Sequence, residues 1–372
     1  MSENKKKKFN PFPIIFVIGG GLLGFWGMDI FDKLFGNVVT ENPLIIPFIM
    51  LMFLLSFFLA PLIHESGHLV MGLLTGYEFV SFRIGSLTFV KENGKLVRKS
   101  FNIVGTGGQC ILTYRITDDP QNIPYFWYHF GGVFFNFMTT LICIPVISIL
   151  KNPFVKIGFI MIAVISLILG IVNIIPTDVM GAGTDGYNLI LLKKSPAVRS
   201  MMYKTMIINA MQYQGVKLED IPDNILTFTD EEKNCSLGIV ASLLEANLLM
   251  NRHDFEQAEE KYSYIANNEN CAALYRNESK CEMMFCMIMN GCSEEDIDKV
   301  YNDELKNYIK TTEKNYVMRK RLMYAYYLII KKDAEKSSQE YALAQKMEST
   351  YPGRGEYLSE MELINYVKDN FS

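Results

Sequence analysis

The sequence predicts an all-α polytopic membrane protein with about four transmembrane helices, a small inner β-hairpin region and a C-terminal cytosolic α-helical domain. Three observations support this fold class. Long apolar segments fill the first half of the chain, a stretch of alternating apolar and polar residues separates two of them, and a charged amphipathic sequence follows. Of the 372 residues, 49 % are hydrophobic and 20 % are charged, which indicates two regions that lie in different solvents.

The apolar segments predict four membrane spans, at about residues 12–34, 43–74, 126–150 and 154–175. Each is long enough to cross a hydrocarbon core of about 30 Å at about 1.5 Å per residue. The first span follows a basic N-terminus, residues 1–11. We interpret this span as a retained helix and not as a cleaved signal peptide, because no A-x-A cleavage site follows it.

The distribution of lysine and arginine predicts the orientation of these spans. Residues 5–8 are all lysine, which places the N-terminus in the cytoplasm, whereas the loop after the first span carries a single lysine, Lys33. The loop between the second and third spans is rich in lysine and arginine and belongs on the cytoplasmic side. We therefore expect a multi-pass protein of the cell membrane with both termini in the cytoplasm.

The loop and the tail have their own patterns. Residues 77–110 alternate apolar and polar side chains around Asn93-Gly94, which is typical of a β-hairpin. Residues 196–372 are expected to form the helical domain, in which two antiparallel helices meet at a turn near residues 251–254. The second of these resembles a tetratricopeptide helix, although no repeat array follows. The predicted domains are thus 1–11, 12–195 and 196–372.

Charge and cysteine content exclude some classes of protein. A formal net charge of -4 gives no reason to expect a nucleic-acid partner. Seven cysteines form no C-x-x-C pair, and their odd number argues against a closed disulfide framework. Reduced thiols in a cytosol-like compartment fit this pattern.

The second apolar segment contains His64-Glu65-Ser66-Gly67-His68, an H-E-x-x-H motif. The spacing of four residues places both imidazoles on one face of a helix, where they can share a metal ion. A catalytic Zn²⁺ keeps one position open for water, and Glu65 can accept the proton of that water. Ionisable groups inside a membrane cost about 2.5–3.5 kcal/mol each. This cost favours a shared metal over the alternative that the three side chains merely form hydrogen bonds within a bundle.

A catalytic zinc site needs one more protein ligand. The best candidates follow the fourth span, where Pro176 ends the helix and Asp178 and Asp185 come next. The alternative is a membrane-anchored peptidase whose third ligand is Glu78 or Glu92, downstream of the motif as in soluble zinc peptidases.

Three motifs together resemble the site-2 protease family of intramembrane zinc metalloproteases. They are HESGH in the second span, GGVFFN (residues 131–136) in the third, and NIIP (residues 173–176) followed by DG at 185–186. The resemblance covers about residues 43–195. The interval between NIIP and DG is longer than the family pattern, the second motif lacks the usual proline, and no PDZ-like insert is present.

The resemblance implies a role for each matching residue. His64, His68 and Asp185 would bind one Zn²⁺ per chain, with Asp178 as the alternative third ligand, and Glu65 would be the general base. The other matching residues would shape the cavity: Asn173 would face the substrate backbone or the metal-site cavity, and Gly132 and Asn136 would line the core.

The sequence therefore predicts an intramembrane zinc metalloprotease that hydrolyses peptide bonds of a membrane-embedded transmembrane segment, leader or signal peptide. Its expected partners are this substrate, the lipid bilayer and a protein that binds the helical domain. The hairpin either offers an edge strand to the substrate or is merely structural. The alternative function is a non-hydrolytic receptor or scaffold with a structural metal site and a partner-binding tail. The intact Glu65 favours the enzyme, because a structural site requires no base.

Overall fold

The computed structural model of the chain describes residues 44–103, 106–179 and 182–371. Within them, three helices are long and apolar enough to cross a membrane. These are α1 (Ile45–Leu74), α2 (Tyr125–Ile149) and α3 (Pro153–Ile174). They match the second, third and fourth predicted spans. The predicted span at 12–34 and the basic N-terminus lie outside the described residues.

The outer surfaces of these helices are apolar. Leu54 and Phe57 of α1 are 64 % and 65 % exposed, and Ile142 of α2 is 60 % exposed. In water such surfaces would be costly, whereas lipid tails solvate them. The start of α3 is well defined, because the Asn152 side chain accepts hydrogen bonds from the N–H groups of Phe154 and Val155.

Helices α1 and α2 approach each other closely through glycine. A Cβ atom on Gly67 would overlap the carbonyl oxygen of Gly131, and a Cβ atom on Gly131 would overlap the carbonyl oxygen of Gly67. Small residues at a helix crossing allow such contact, which stabilises helix association where no hydrophobic driving force acts. On the other side of α2, the Thr140 hydroxyl donates to the carbonyl of Ala163 in α3 at 3.0 Å.

The loop between α1 and α2 forms a four-stranded antiparallel sheet of order β3-β2-β1-β4. Its strands are β1 (Tyr77–Ile84), β2 (Leu87–Glu92), β3 (Lys95–Ser100) and β4 (Gly108–Tyr114).

The turn predicted at Asn93-Gly94 is confirmed, since it joins β2 to β3 with φ of 49° and 76°. The single predicted hairpin is incomplete, however, because β1 pairs with both β2 and β4. Leu112 of β4 is fully buried against Gly72 of α1, which fixes the sheet to this helix.

A short connection after α3 leads to the next helix. Strands β5 (Asp178–Val179) and β6 (Ala182–Gly183) pair, and α4 (Asp185–Lys194) follows. A Cβ atom on Gly186 would overlap the carbonyl oxygen of Ile174 at the end of α3. Glycine is therefore needed here for α4 to begin against α3.

The C-terminal helical domain confirms the predicted helical character of residues 196–372 as far as residue 371. Its helices of ten or more residues are α5 (Pro196–Tyr213), α8 (Gly238–Asn251), α9 (Phe255–Ala266), α10 (Ala273–Met289), α12 (Asp303–Thr312), α14 (Ala334–Lys346) and α15 (Arg354–Phe371). The shorter ones are α6 (Asp223–Leu226), α7 (Asp230–Lys233), α11 (Glu294–Val300) and α13 (Val317–Ala325). The predicted turn near 251–254 separates α8 from α9. The resemblance to a tetratricopeptide unit stays a prediction.

The helical domain has a core that contains ion pairs and it packs on the sheet. Arg319 and Arg321 are fully buried. Arg319 contacts Glu282 at 3.0 Å and Arg321 contacts Glu360 at 2.6 Å, so these charges are compensated. At the interface with β3, the Lys99 ammonium donates to the carbonyl of Tyr351 at 2.8 Å.

The Glu356 carboxyl, which accepts a hydrogen bond from the Tyr351 hydroxyl at 2.7 Å, makes stability depend on pH. Burial raises the pKa of Glu356 from 4.5 to about 7. A folded-state pKa above the unfolded value favours the protonated carboxyl, so its stabilising effect is complete below about pH 4.5 and is lost as pH rises through about 7.

At pH 8 the Glu356→Gln variant should therefore melt at a higher temperature than the native chain, by an amount that corresponds to about 1–3 kcal/mol. At pH 4.5 the variant and the native chain should melt at the same temperature. Thermal unfolding of the full chain in detergent micelles, followed by circular dichroism across this pH range, measures the difference. A difference that does not change with pH would contradict this assignment.

Candidate metal centre

The C-terminal half of α1 brings two imidazoles together. His64 and His68 are 7 % and 8 % exposed, and their Nε2 atoms lie 3.2 Å apart. The helical spacing in the sequence predicts this arrangement, and the geometry of α1 confirms it.

The third member comes from a separate part of the chain. Asp185, the first residue of α4, places its Oδ2 at 3.1 Å from Nε2 of His64 and 3.5 Å from Nε2 of His68. One ligand atom from each of the three residues lies within 4.8 Å of the others, an arrangement that could hold a metal ion.

The other predicted candidates for the third ligand lie outside this group. Asp178 is exposed on β5, where it pairs with Gly183. Glu78 is exposed on β1, and Glu92 forms an ion pair with Lys99. Among the described residues, the geometry therefore selects Asp185.

The distances suit a tetrahedral ion. Ligand atoms at 2.0–2.1 Å from a common Zn²⁺ with tetrahedral angles would be separated by about 3.3 Å. The three separations here are 3.1, 3.2 and 3.5 Å. Burial alone would raise the pKa of Asp185, but its contacts with the two imidazoles outweigh burial and hold the pKa below its usual range. The carboxyl is therefore ionised, which is the state that binds a cation.

Residues of α2 orient both imidazoles. Nδ1 of His68 lies 2.7 Å from the carbonyl oxygen of Tyr128, which can only accept, so Nδ1 carries the proton and Nε2 keeps a free lone pair. The side chain of Asn136 is fully buried, and its Nδ2 lies 3.1 Å from Nδ1 of His64.

The Oδ1 atom of Asn136 is buried without a hydrogen-bond partner among the described residues. The oxygen and nitrogen of an amide are nearly equal in size, so the reversed amide fits the same space. Reversal lets Oδ1 accept from Nδ1–H of His64, which satisfies the buried oxygen and frees Nε2 for a metal. Asn136 is thus buried in α2, and its contact with His64 can orient that imidazole.

Gly132 leaves room in front of the imidazoles. A Cβ atom on this residue would lie 2.5 Å from Nε2 of His68 and 2.7 Å from Nε2 of His64. Any larger side chain would occupy the space beside both potential ligand atoms. Gly132 is buried at this point of α2.

Glu65 lies beside the start of β4. A Cβ atom on Gly108 would be 2.6 Å from Cγ of Glu65 and 3.1 Å from its Oε1. Arg83, a buried residue of β1, donates to the carbonyl of Gly108 at 3.3 Å and to that of Gly85 at 2.9 Å. Arg83 therefore supports the segment that contacts Glu65.

Two contributions were not predicted from the sequence. Arg83 is one of the basic residues that predict a cytoplasmic position for the loop, but its support of the segment beside Glu65 was not predicted. An arginine at a buried position of an alternating strand is a detectable signal. The carbonyl of Tyr128 could not be detected, because the residue type does not determine a backbone contact.

Asn173 has a different environment from the other site residues. It lies in the last turn of α3, where its Nδ2 donates to the carbonyl of Leu169 at 2.9 Å. Its predicted contact with a substrate backbone or the metal-site cavity stays a prediction.

Comparison of the chain with protein-family models, curated proteins and solved structures finds no match. What can be argued about function therefore comes from the motifs and from the geometry of the site.

Replacing Gly132 by alanine should disrupt metal binding, because the new methyl group would displace both imidazoles. Loss of an outer-shell partner typically lowers metal affinity by about 10–100-fold. We expect the affinity for Zn²⁺ to fall by at least this much. Elemental analysis of protein purified in micelles, combined with chelator competition, measures this. The matched control is Gly158→Ala on α3, where a Cβ atom would meet Sδ of Met52 at an ordinary 3.5 Å. Full zinc occupancy in Gly132→Ala with native affinity would contradict the assignment.

Proposed function

We propose that this chain is an intramembrane zinc metalloprotease similar to the site-2 protease family. The observation that carries the proposal is the convergence of His64, His68 and Asp185 within 4.8 Å. The two histidines and Glu65 lie on α1, which is apolar enough to span a membrane, and Asp185 begins the short helix α4. Two imidazoles, one carboxylate and a neighbouring glutamate form a ligand and base set suited to metal-assisted hydrolysis.

Each residue has a chemical role in this proposal. His64, His68 and Asp185 hold the metal, which when bound acts as a Lewis acid and lowers the pKa of a coordinated water. Glu65 accepts a proton from the attacking water and returns it to the leaving amine. Asn136 and the Tyr128 carbonyl keep the imidazoles in the tautomer that binds a metal.

The sheet offers a way to hold the substrate. A peptide bond within a transmembrane helix is shielded, so the helix must unwind and its freed backbone groups need partners. Strand β4 lies at an edge of the sheet and begins beside Glu65. A substrate segment that pairs with β4 would gain these partners next to the general base.

The topology and partners follow the sequence argument. The basic sheet region and the helical domain pack together, as the contact between Lys99 and Tyr351 shows. We place both in the cytoplasm, in accord with their lysine and arginine content. The substrate is a transmembrane segment, leader or signal peptide in the lipid bilayer, and the surface of the helical domain is available to a protein partner.

Replacing Glu65 by glutamine tests the proposed activity. The variant should keep stoichiometric zinc, because the three ligands are intact, and should lose about 10²–10⁴-fold in cleavage rate, because the base is absent. Comparison of the membrane peptidomes of cells that carry the native chain and the variant measures the loss. An uncut membrane peptide should accumulate with the variant and identify the substrate.

Identical peptidomes together with unchanged cellular function would contradict the protease and favour the receptor or scaffold. The matched control for this experiment is Ser66→Ala, one residue further along α1, whose hydroxyl donates to the Leu62 carbonyl of its own helix at 2.7 Å.

A further inference from the structure

A cleft of about 380 Å³ separates the segment that carries Asp185 from the helical domain. One wall contains Gly183 of β6 and Tyr187 and Asn188 of α4. The facing wall contains Tyr264 of α9 and Tyr275 of α10. The volume lies within the range of about 300–1,000 Å³ that is typical of ligand sites.

The cleft and the candidate metal centre share one short segment of the chain. Gly183 lies two residues before Asp185, and Tyr187 lies two residues after it. The hydroxyl of Thr184 caps α4 by accepting from the N–H of Tyr187. The first turn of α4 thus presents Asp185 to the imidazoles and Tyr187 to the cleft. A peptide that lies in this cleft is therefore next to the segment that carries Asp185.

The chemistry of the walls fits a polypeptide backbone. The lining contains tyrosine and serine hydroxyls and asparagine amides, which both donate and accept hydrogen bonds. Tyr264 is 75 % exposed, so it offers a large aromatic surface that the core does not use. In antibody binding sites, tyrosine supplies rigid contact area, and serine and asparagine supply adaptable hydrogen bonds.

Charge argues against an anionic small molecule such as a nucleotide. Among the described residues of the lining, Lys233 is the one lysine or arginine, and its ammonium already pairs with Glu245 at 2.7 Å. Asp178 adds a carboxylate on the opposite wall. A phosphate group would find no unpaired cation among the described lining residues, whereas the backbone of an extended peptide carries no net charge.

We propose that this cleft binds the extended segment of the substrate that flanks the scissile bond outside the membrane. The inference rests on the proposed protease function and adds a requirement to it. A substrate needs an unfolded extramembrane flank on the side of the helical domain, and the domain selects substrates through this flank.

Native cysteines make the proposal testable without cleavage. Cys235 and Cys271 line the cleft, whereas Cys292 lies outside it, and all three are half-buried. Two synthetic probes are needed: a transmembrane helix of about 20 leucine and alanine residues, and the same helix with an extended tail of glycine, serine, asparagine and valine. The protein is the zinc-loaded Glu65→Gln chain in detergent micelles.

At saturation, the tailed probe should slow the reaction of N-ethylmaleimide with Cys235 and Cys271 by about tenfold. The reason is that bound peptide would cover both thiols for most of the time. The reaction at Cys292 should not change, and the probe without a tail should protect none of the three. Equal rates with and without the tailed probe, or equal protection of Cys292, would overturn the proposal.

A matched pair of variants tests the cleft by affinity. Tyr264→Ala should weaken binding of the tailed probe by about tenfold, as truncation of an interface aromatic typically does. Leu343→Ala removes a side chain that is 41 % exposed on α14, away from the cleft. This variant should bind the tailed probe with the native affinity. Fluorescence anisotropy of the labelled probe measures both. Equal affinities in the two variants would contradict the proposal.

These outcomes are separable from those for the protease. In one outcome, the tailed probe protects Cys235 and Cys271 while Glu65→Gln leaves the peptidome unchanged. That result would support a peptide-binding cleft but remove its role in proteolysis, and so would overturn the inference as stated. An altered peptidome without protection of Cys235 and Cys271 would overturn the cleft alone.

Discussion

The site depends on one close contact, the crossing of α1 and α2 at Gly67 and Gly131. The two backbones are so near that neither residue can carry a Cβ atom. Gly67 lies within the H-E-x-x-H motif itself, so the crossing point and the imidazoles share one helical turn. In lipid this contact rests on packing of small residues, because no hydrophobic force drives the helices together.

Several functional contacts follow from that crossing. Gly132 comes next to Gly131 and therefore lies in front of both imidazoles. Asn136, one turn further along α2, reaches His64, and the carbonyl of Tyr128, one turn earlier, reaches His68. A single helix contact thus leaves space beside both imidazoles and brings α2 groups against both of them.

A second close contact supplies the carboxylate. Gly186 packs against the backbone of Ile174, so α4 begins directly at the end of α3 and Asp185 points at the histidines. A buried carboxylate and two buried imidazoles compensate one another, which explains how an apolar helix accommodates ionisable residues. The same first turn of α4 forms a wall of the cleft toward the helical domain.

The sequence predicted the local features of this arrangement well. The bounds of α1, α2 and α3 follow from apolar runs that end at proline or polar residues, and the hairpin turn follows from Asn93-Gly94. Asp185, in the third of the three motifs, lies beside the two histidines of the first motif, as the order of the motifs indicated. Pairing of β1 with β4 could not be predicted, because β4 follows a glycine-rich run and its register depends on distant contacts with α1.

The contacts of Arg83 and the cleft beside α4 depend in the same way on how separate segments pack. No local pattern in the sequence encodes them. They depend on how the sheet and the helical domain pack against α1, α2, α3 and one another.

X-ray absorption at the zinc edge of the purified chain tests the central claim most directly, in the native protein and in Asp185→Asn and Asp178→Asn. The account predicts one zinc per native chain, bound by two imidazole nitrogens and by oxygen at about 2.0–2.2 Å. Asp178→Asn should give the same spectrum, and Asp185→Asn should lose the metal or the carboxylate oxygen. A native chain without stoichiometric zinc, or loss of zinc in Asp178→Asn alone, would contradict it.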